Sequence, residues 1–386
     1  MMLGLLLARA GVETLVLEKH ADFLRDFRGD TIHPSTLEVV AELGLLEELL
    51  RLPHQKIPAI AARFGDREIA VADFTRLPAR CGYIAMMPQW DFLDFLARHA
   101  RRYPQFSLRM NTAVTSLIER QGRIAGVVAG SEEIEADLVI GADGRHSTVR
   151  VLAGLQVQDF GAPIDVLWFR LTRRSTDPEA SSGRFDVGRL FIMINRGGHW
   201  QCGYVIPKGA IDAVRARGLD ALRSEIAGLA PFVADRVSEL ADWESLKLLT
   251  VTVDRLRRWH RPGLLCIGDA AHAMSPVGGV GINLAIQDAV AAANLLVPAL
   301  RRGTIGDADL HKVQVRREWP TRFTQRLQLL VHDRFLARVL HRTQPLQPPL
   351  LMRLLSRSAL LCGIPGRLIG LGIRPEHIGR YIGRTD

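Results

Sequence analysis

Four cysteines in 386 residues, Cys81, Cys202, Cys266 and Cys362, stand far apart without metal-ligand spacing, which argues against a disulfide scaffold or a zinc module. They read as buried thiols in a reducing, cytoplasmic compartment. No uncharged apolar run reaches about 18 residues, so no stretch reads as a bilayer-spanning helix. Met1 to Ala10 is apolar but lacks a positive leading region and a small-residue cleavage site, unlike a secretory signal. There is no internal repeat, no convincing Ser-His-Asp spacing and no metal cluster. Aromatic residues are 6% of the chain and do not alternate with basic ones, so a net charge of +9 does not make a stacking surface for nucleic acid.

What is present suits a globular protein of two domains: 47% apolar and 24% charged residues. The most informative stretch is Gly263–Asp288. A short apolar run ends at Gly268-Asp269, a turn containing Pro276, Gly278, Gly279 and Gly281 follows, and an alanine-rich helix begins near Gly281. A parallel strand delivers backbone amides to a bound cofactor in this way, and the glycines allow positive φ and close approach of a flat ligand. Asp269 can accept from a sugar or ribityl hydroxyl, or can cap the Ala270-Ala271-His272 turn.

This stretch resembles the second flavin-binding motif of FAD-dependent monooxygenases of the p-hydroxybenzoate hydroxylase type: Gly-Asp-Ala-Ala-His, a proline, and a glycine-rich turn into a helix. Ala136–Arg150, with Asp143-Gly144 after an apolar strand, resembles the Asp-Gly motif of the same family. The resemblance implies a three-layer α/β dinucleotide fold that binds FAD, with an inserted antiparallel sheet for substrate. It implies reduction of FAD by NADH or NADPH, addition of molecular oxygen at flavin C4a, and hydroxylation of a small, electron-rich substrate by the hydroperoxide. The expected boundaries are 1–58, 83–156 and 257–342 for the FAD domain, 59–82 and 157–256 for the substrate sheet, and 343–386 for a helical tail.

The cofactor residues implied are Glu18, Lys19, Arg28, Gln89, Asp143, Gly144, Gly268, Asp269, Pro276, Gly279, Val280, Gly281 and Asn283. Glu18 ends the strand Glu13–Leu17, where a carboxylate meets ribose hydroxyls; its alternative is a surface pair with Lys19 or His20. Arg28 can fork onto pyrophosphate oxygens or pair with Asp26 or Asp30. Gln89 opens a helix after Pro88 and either reaches the flavin or is simply exposed. Asp143 with Arg150 suits a cofactor or a structural network equally well. The pocket candidates are Trp168, Arg170, Met193, Trp200, Gln201 and Tyr204, of which half must face away because strands alternate.

The family also carries a first strand and a Gly-x-Gly-x-x-Gly turn before the opening helix, whereas here that helix is already under way at Met1-Met2-Leu3-Gly4. The expectation is a start at an internal methionine of a longer natural protein, which leaves backbone groups unpaired beside Leu15 and Leu17. Two other readings stay open: turnover of a prenyl or quinone-like substrate, suggested by the leucine-rich tail, and a binding protein that has lost its flavin. A homodimer and peripheral membrane contact through the tail are open as well.

Overall fold

The computed structural model describes residues 1–24, 30–65, 67–340 and 359–383. It is an α/β protein in which helices cover parallel strand pairs and a separate, larger sheet lies alongside. The helices needed below are α1 (Met2–Arg9), α2 (Pro34–Glu42), α3 (Gln89–Ala100), α4 (Thr148–Leu152), α5 (Leu219–Leu229), α6 (Gly281–Arg301), α7 (Asp307–Val331) and α8 (Ala359–Gly370). The strands are β1 (Thr14–Leu17), β2 (Phe106–Arg109), β3 (Val139–Gly141), β4 (Ile164–Thr172), β5 (Arg189–Asn195), β6 (His199–Pro207) and β7 (Leu264–Cys266).

β1 and β2 form one parallel ladder, with Thr14 opposite Phe106, and β3 and β7 form another, with Gly141 opposite Cys266. Among the described residues β1 ladders only with β2. Helix α1 is apolar on every side, and Met2 to Ala8 are all buried. Gly4 lets it settle on β1 and β2, since a Cβ there would lie 2.9 Å from Val16 Cγ2. The α6 helix is the spine of the same core, with Ala292, Ala293 and Val297 excluded from solvent. By length and composition Val277–Arg301 could cross a membrane, but 72% of its apolar window is buried inside the protein. An apolar helix clothed by its own protein gains nothing from lipid.

The second sheet has seven strands in the order Lys247–Thr250, β4, β6, β5, Ser182–Asp186, Ala59–Phe64 and Arg67–Asp73. Its central pairs are antiparallel, with Trp168 opposite Gly203 and Met193 opposite Cys202. One face packs under α5 through Phe169, Met193, Trp200, Tyr204 and Ile226. The other gathers Val166, Trp168 and Val205 with Val277, from the glycine-rich turn. The segment after α8 threads back across the cofactor half: Ile378 N–H donates to Glu42 on α2, and Asn294 on α6 bonds the His377 carbonyl. All four cysteines are buried.

Candidate active site

The site begins where β3 and β7 end side by side. Ile267 N–H donates to the Gly141 carbonyl at 2.9 Å, carrying the parallel register into both loops. Beyond that point Arg145 Nη2 lies 3.7 Å from Asp269 Oδ2, so the Asp143-Gly144 and Gly268-Asp269 loops meet through their side chains. Gly144 at φ +87° and Gly268 at φ +58° hold left-handed backbone, a conformation nearly free of cost only for glycine. A Cβ on Gly268 would also strike Ala285 Cβ at 2.9 Å.

After Gly268 the chain is buried from Ala270 through Ser275, and from Pro276 through Ile282 it opens to intermediate exposure. Gly278 (φ +81°) and Gly279 (φ +62°) bend this open turn, and a Cβ on Gly279 would sit 2.7 Å from Thr31 Oγ1. Thr31 Oγ1 donates to the Gly279 carbonyl at 3.0 Å, tying the turn to the loop that follows residue 29. Asp269 lies on the same side: its Oδ1 is 3.9 Å from where a Gly281 Cβ would be. A half-open turn stripped of side chains beside a partly exposed carboxylate fits the flat ring and ribityl chain of FAD.

The other expected cofactor residues divide. Pro276 and Val280 flank the turn, and both are partly exposed. Glu18 stands at the end of β1, where its charge acts on the Met1 amine, a group whose pKa is lowered chiefly by burial. Lys19 beside it is exposed. Gln89 starts α3, and its backbone N–H donates to Asp30 Oδ1 at 3.2 Å. Arg28 lies outside the described residues.

Two further side chains make hydrogen bonds within the protein. Asn283 is 5% exposed, and its Oδ1 accepts from His33 N–H at 3.1 Å and Thr36 Oγ1 at 2.7 Å. Its side-chain amide therefore splices α6 to α2. The Asp143 carboxylate accepts from Ser147 Oγ at 2.5 Å and Val149 N–H at 3.1 Å, so it organises the start of α4. Arg150, its suspected partner, is turned to Asp254 at 3.3 Å.

The pocket candidates split by the pleat. Met193, Trp200 and Tyr204 belong to the core beneath α5 and are corrected to structural residues. The Trp200 indole N–H donates to Asp177 at 2.9 Å, and the Tyr204 hydroxyl to Glu225 at 2.5 Å. Trp168, Arg170 and Gln201 share the opposite face, because Trp168 pairs with Gly203 and Arg170 with Gln201 across the ladder.

Several residues of the site carry no signature in the sequence. Arg196, at the turn between β5 and β6, reaches across to Asp30 and also donates to Gln201 Oε1 from Nε at 2.8 Å and Nη2 at 2.7 Å. This clasp joins the loop beside the glycine turn to the substrate-side sheet. Burial raises the Asp30 pKa, and the Arg196 charge opposes that. Beneath the turn, Asp288 accepts from Gly268 N–H at 3.0 Å, contacts His272 Nε2 at 2.6 Å and pairs with Arg317 Nε at 3.0 Å. Arg317 Nη1 continues to Glu376 at 3.2 Å, so the turn is braced from the far end of the chain.

Comparison with known proteins agrees with this geometry. The model of a family described as FAD binding domain matches residues 1–319. The chain belongs to that family of FAD-binding proteins. Among its relatives is 6-methylpretetramide 4-monooxygenase of Streptomyces rimosus, 33% identical over 347 residues, 85% of this chain and 80% of the relative. Rifampicin monooxygenase of Streptomyces venezuelae is 28% identical over 72% of this chain and 58% of its own length. Two solved structures share the fold. PqsL of Pseudomonas aeruginosa, in complex with 2-aminobenzoylacetate, has a TM-score of 0.75 at 22% identity, covering 88% of this chain and 94% of that one. OxyS anhydrotetracycline hydroxylase of Streptomyces rimosus has a TM-score of 0.73 at 24% identity, covering 98% and 75%. The chain is accordingly an FAD-dependent monooxygenase.

Proposed function

We propose that this monooxygenase takes electrons from NADH or NADPH and hydroxylates a multi-ring phenolic substrate with molecular oxygen. The observation that carries the reading is the contact of Val277, in the glycine-rich turn, with the Trp168 face of the seven-stranded sheet. A ring lying on the turn would then border a wall formed by Trp168, Arg170 and Gln201. The 33% identical relative named for a pretetramide supports a polycyclic substrate.

FAD, when bound, would supply the redox and oxygen chemistry; the protein supplies position and dryness. Gly278 and Gly279 allow backbone to approach the ring, Asp269 accepts from the ribityl chain, and Glu18 anchors the adenosine end. The indole of Trp168 packs against an aromatic ring, and Arg170 attracts a phenolate oxygen. A ring held there would lie between the segments expected to form the FAD-binding and sheet domains, where ligand pockets commonly form.

The test is turnover of tetracyclic phenols under labelled oxygen gas with FAD and NADH or NADPH. One labelled oxygen atom in the product supports the reading. A hydroxylated product without label, or oxygen-independent turnover of a quinone, would contradict it.

A further inference from the structure

The outer face of α7 carries large apolar side chains that no part of the described protein covers. Val315, Trp319, Phe323, Leu327 and Leu330 recur at intervals of three or four, which places them on one face of a helix. Val315, Trp319 and Leu330 are 59%, 54% and 53% exposed, and Phe323 and Leu327 are also exposed. The Trp319 and Phe323 rings lie 6.0 Å apart, centre to centre. The opposite face of α7 is spent on the core: Val313, Arg317, Thr321 and Gln325 are buried, and Gln325 holds the backbone of Asp254 and Ala273. The helix is thus anchored from behind, and its apolar stripe is free to face outward.

The charges beside the stripe are mostly basic. From His311 to Leu330 the exposed charged positions are Lys312, Arg322 and Arg326, with His311 near them and no exposed acid. Glu318 is only partly exposed and is neutralised between Arg322 at 3.7 Å and Arg255 at 4.0 Å. One exposed acid, Asp333, follows the stripe, and beyond it, from Arg334 to Pro375, there are seven arginines and no acidic residue. Helix α8, in that run, lines a small cavity with α7 through Leu368 and Ile369, against Pro320 and Thr324, and it too exposes Leu361 and Ile364.

From these observations we propose that the α7 face rests on the surface of an anionic phospholipid membrane, with the five apolar side chains in the acyl boundary and Arg322 and Arg326 among the phosphates. Aromatic and leucine side chains flanked by arginine are the combination that an anionic interface binds. A second copy of the chain fits less well. A two-fold contact would set the arginine rows against each other. The five side chains also expose only on the order of 500 Å² together, against roughly 800 Å² per partner in a stable dimer. This docking goes beyond the hydroxylation reading and does not depend on the substrate.

The experiment uses the full chain loaded with FAD and sucrose-filled vesicles of either phosphatidylcholine alone or an equal mixture with phosphatidylglycerol. Co-sedimentation with the mixed vesicles, release by high salt and a blue shift in tryptophan emission are expected. R322Q/R326Q should lower the partition coefficient about twenty-fivefold, at about fivefold per arginine. W319S/F323S should abolish the pelleted fraction, with the visible flavin spectrum and melting temperature unchanged in both variants. Absence of the protein from the mixed-vesicle pellet, or binding equal in all three proteins, overturns the proposal. So does a concentration-dependent dimer that W319S/F323S dissociates, which would assign the face to a second copy.

Discussion

His272 Nε2 and Asp288 Oδ2 lie 2.6 Å apart with both side chains sealed from solvent, and the same carboxylate oxygen takes the Gly268 N–H at 3.0 Å. Burial works to raise the Asp288 pKa, but His272, Arg317 and the Gly268 amide outweigh it and hold the carboxyl below its usual range. D288N removes one of the two carboxylates on Arg317 and leaves it Glu376, a lost charged hydrogen bond that costs about 1.5–3 kcal/mol. Thermal unfolding of the apoprotein reads that loss. FAD titration of the protein that remains folded should give at least about a tenfold weaker Kd, a difference of about 1.4 kcal/mol. An unchanged Kd would confine Asp288 to a purely structural role.

The glycine turn makes a second prediction. G279A adds a Cβ 2.7 Å from Thr31 Oγ1 at a backbone φ of +62°. Left-handed backbone alone costs a non-glycine residue about 1–2 kcal/mol. Adding T31A relieves the clash but not the backbone cost, so the double variant should recover part of the lost melting temperature. Full recovery would mean that φ at this position carries no strain.

The two faces of the seven-stranded sheet should respond to mutation in opposite ways. W200A empties a site in the core beneath α5 and should cost about 3–5 kcal/mol in denaturant unfolding. R170A, on the exposed opposite face, should change stability by no more than about 0.5 kcal/mol. It should nevertheless raise KM for a phenolic substrate severalfold. A KM unchanged by R170A would remove Arg170 from the substrate wall.

Acid should weaken the fold through His33. Its Nδ1 contacts the Ile369 carbonyl at 2.7 Å, and burial lowers its pKa to about 4 against the opposing pull of that contact. An unfolded histidine titrates near 6.5, so as pH falls the unfolded chain binds the proton first. The contribution is complete above about pH 6.5 and is lost progressively down to about pH 4, amounting to about 3 kcal/mol. H33N should flatten the pH dependence of unfolding across that window. Parallel curves for the two proteins would contradict the assignment.

How far the sequence could be read follows from where each residue's reason lies. The run from Gly268 to Gly281 was legible because left-handed turns and a strand-to-helix junction are local demands. The sheet face was half legible: alternation says that Trp168 and Met193 can point in different directions, but only the position of α5 says which direction is core. Asp288 was not legible, because its partners are Gly268, His272 and Arg317, and alone it is an acid within an apolar helix. Arg196 was hidden for the same reason, since its partner Asp30 is 166 residues away. The splice made by Asn283 was hidden as well, since its partners His33 and Thr36 come from a distant helix start.

The central claim is that the turn from Gly268 to Gly281, beside Asp269, holds a flavin that reacts with a nicotinamide and then with oxygen. The direct measurement is the visible spectrum of the FAD-reconstituted protein with a tetracyclic phenol present, first under argon with NADH or NADPH and then in air. The account predicts a bound-flavin band that bleaches under argon and returns in air, with D269A losing FAD on gel filtration. A folded protein that takes up no FAD, or a band that neither nicotinamide bleaches, would contradict it.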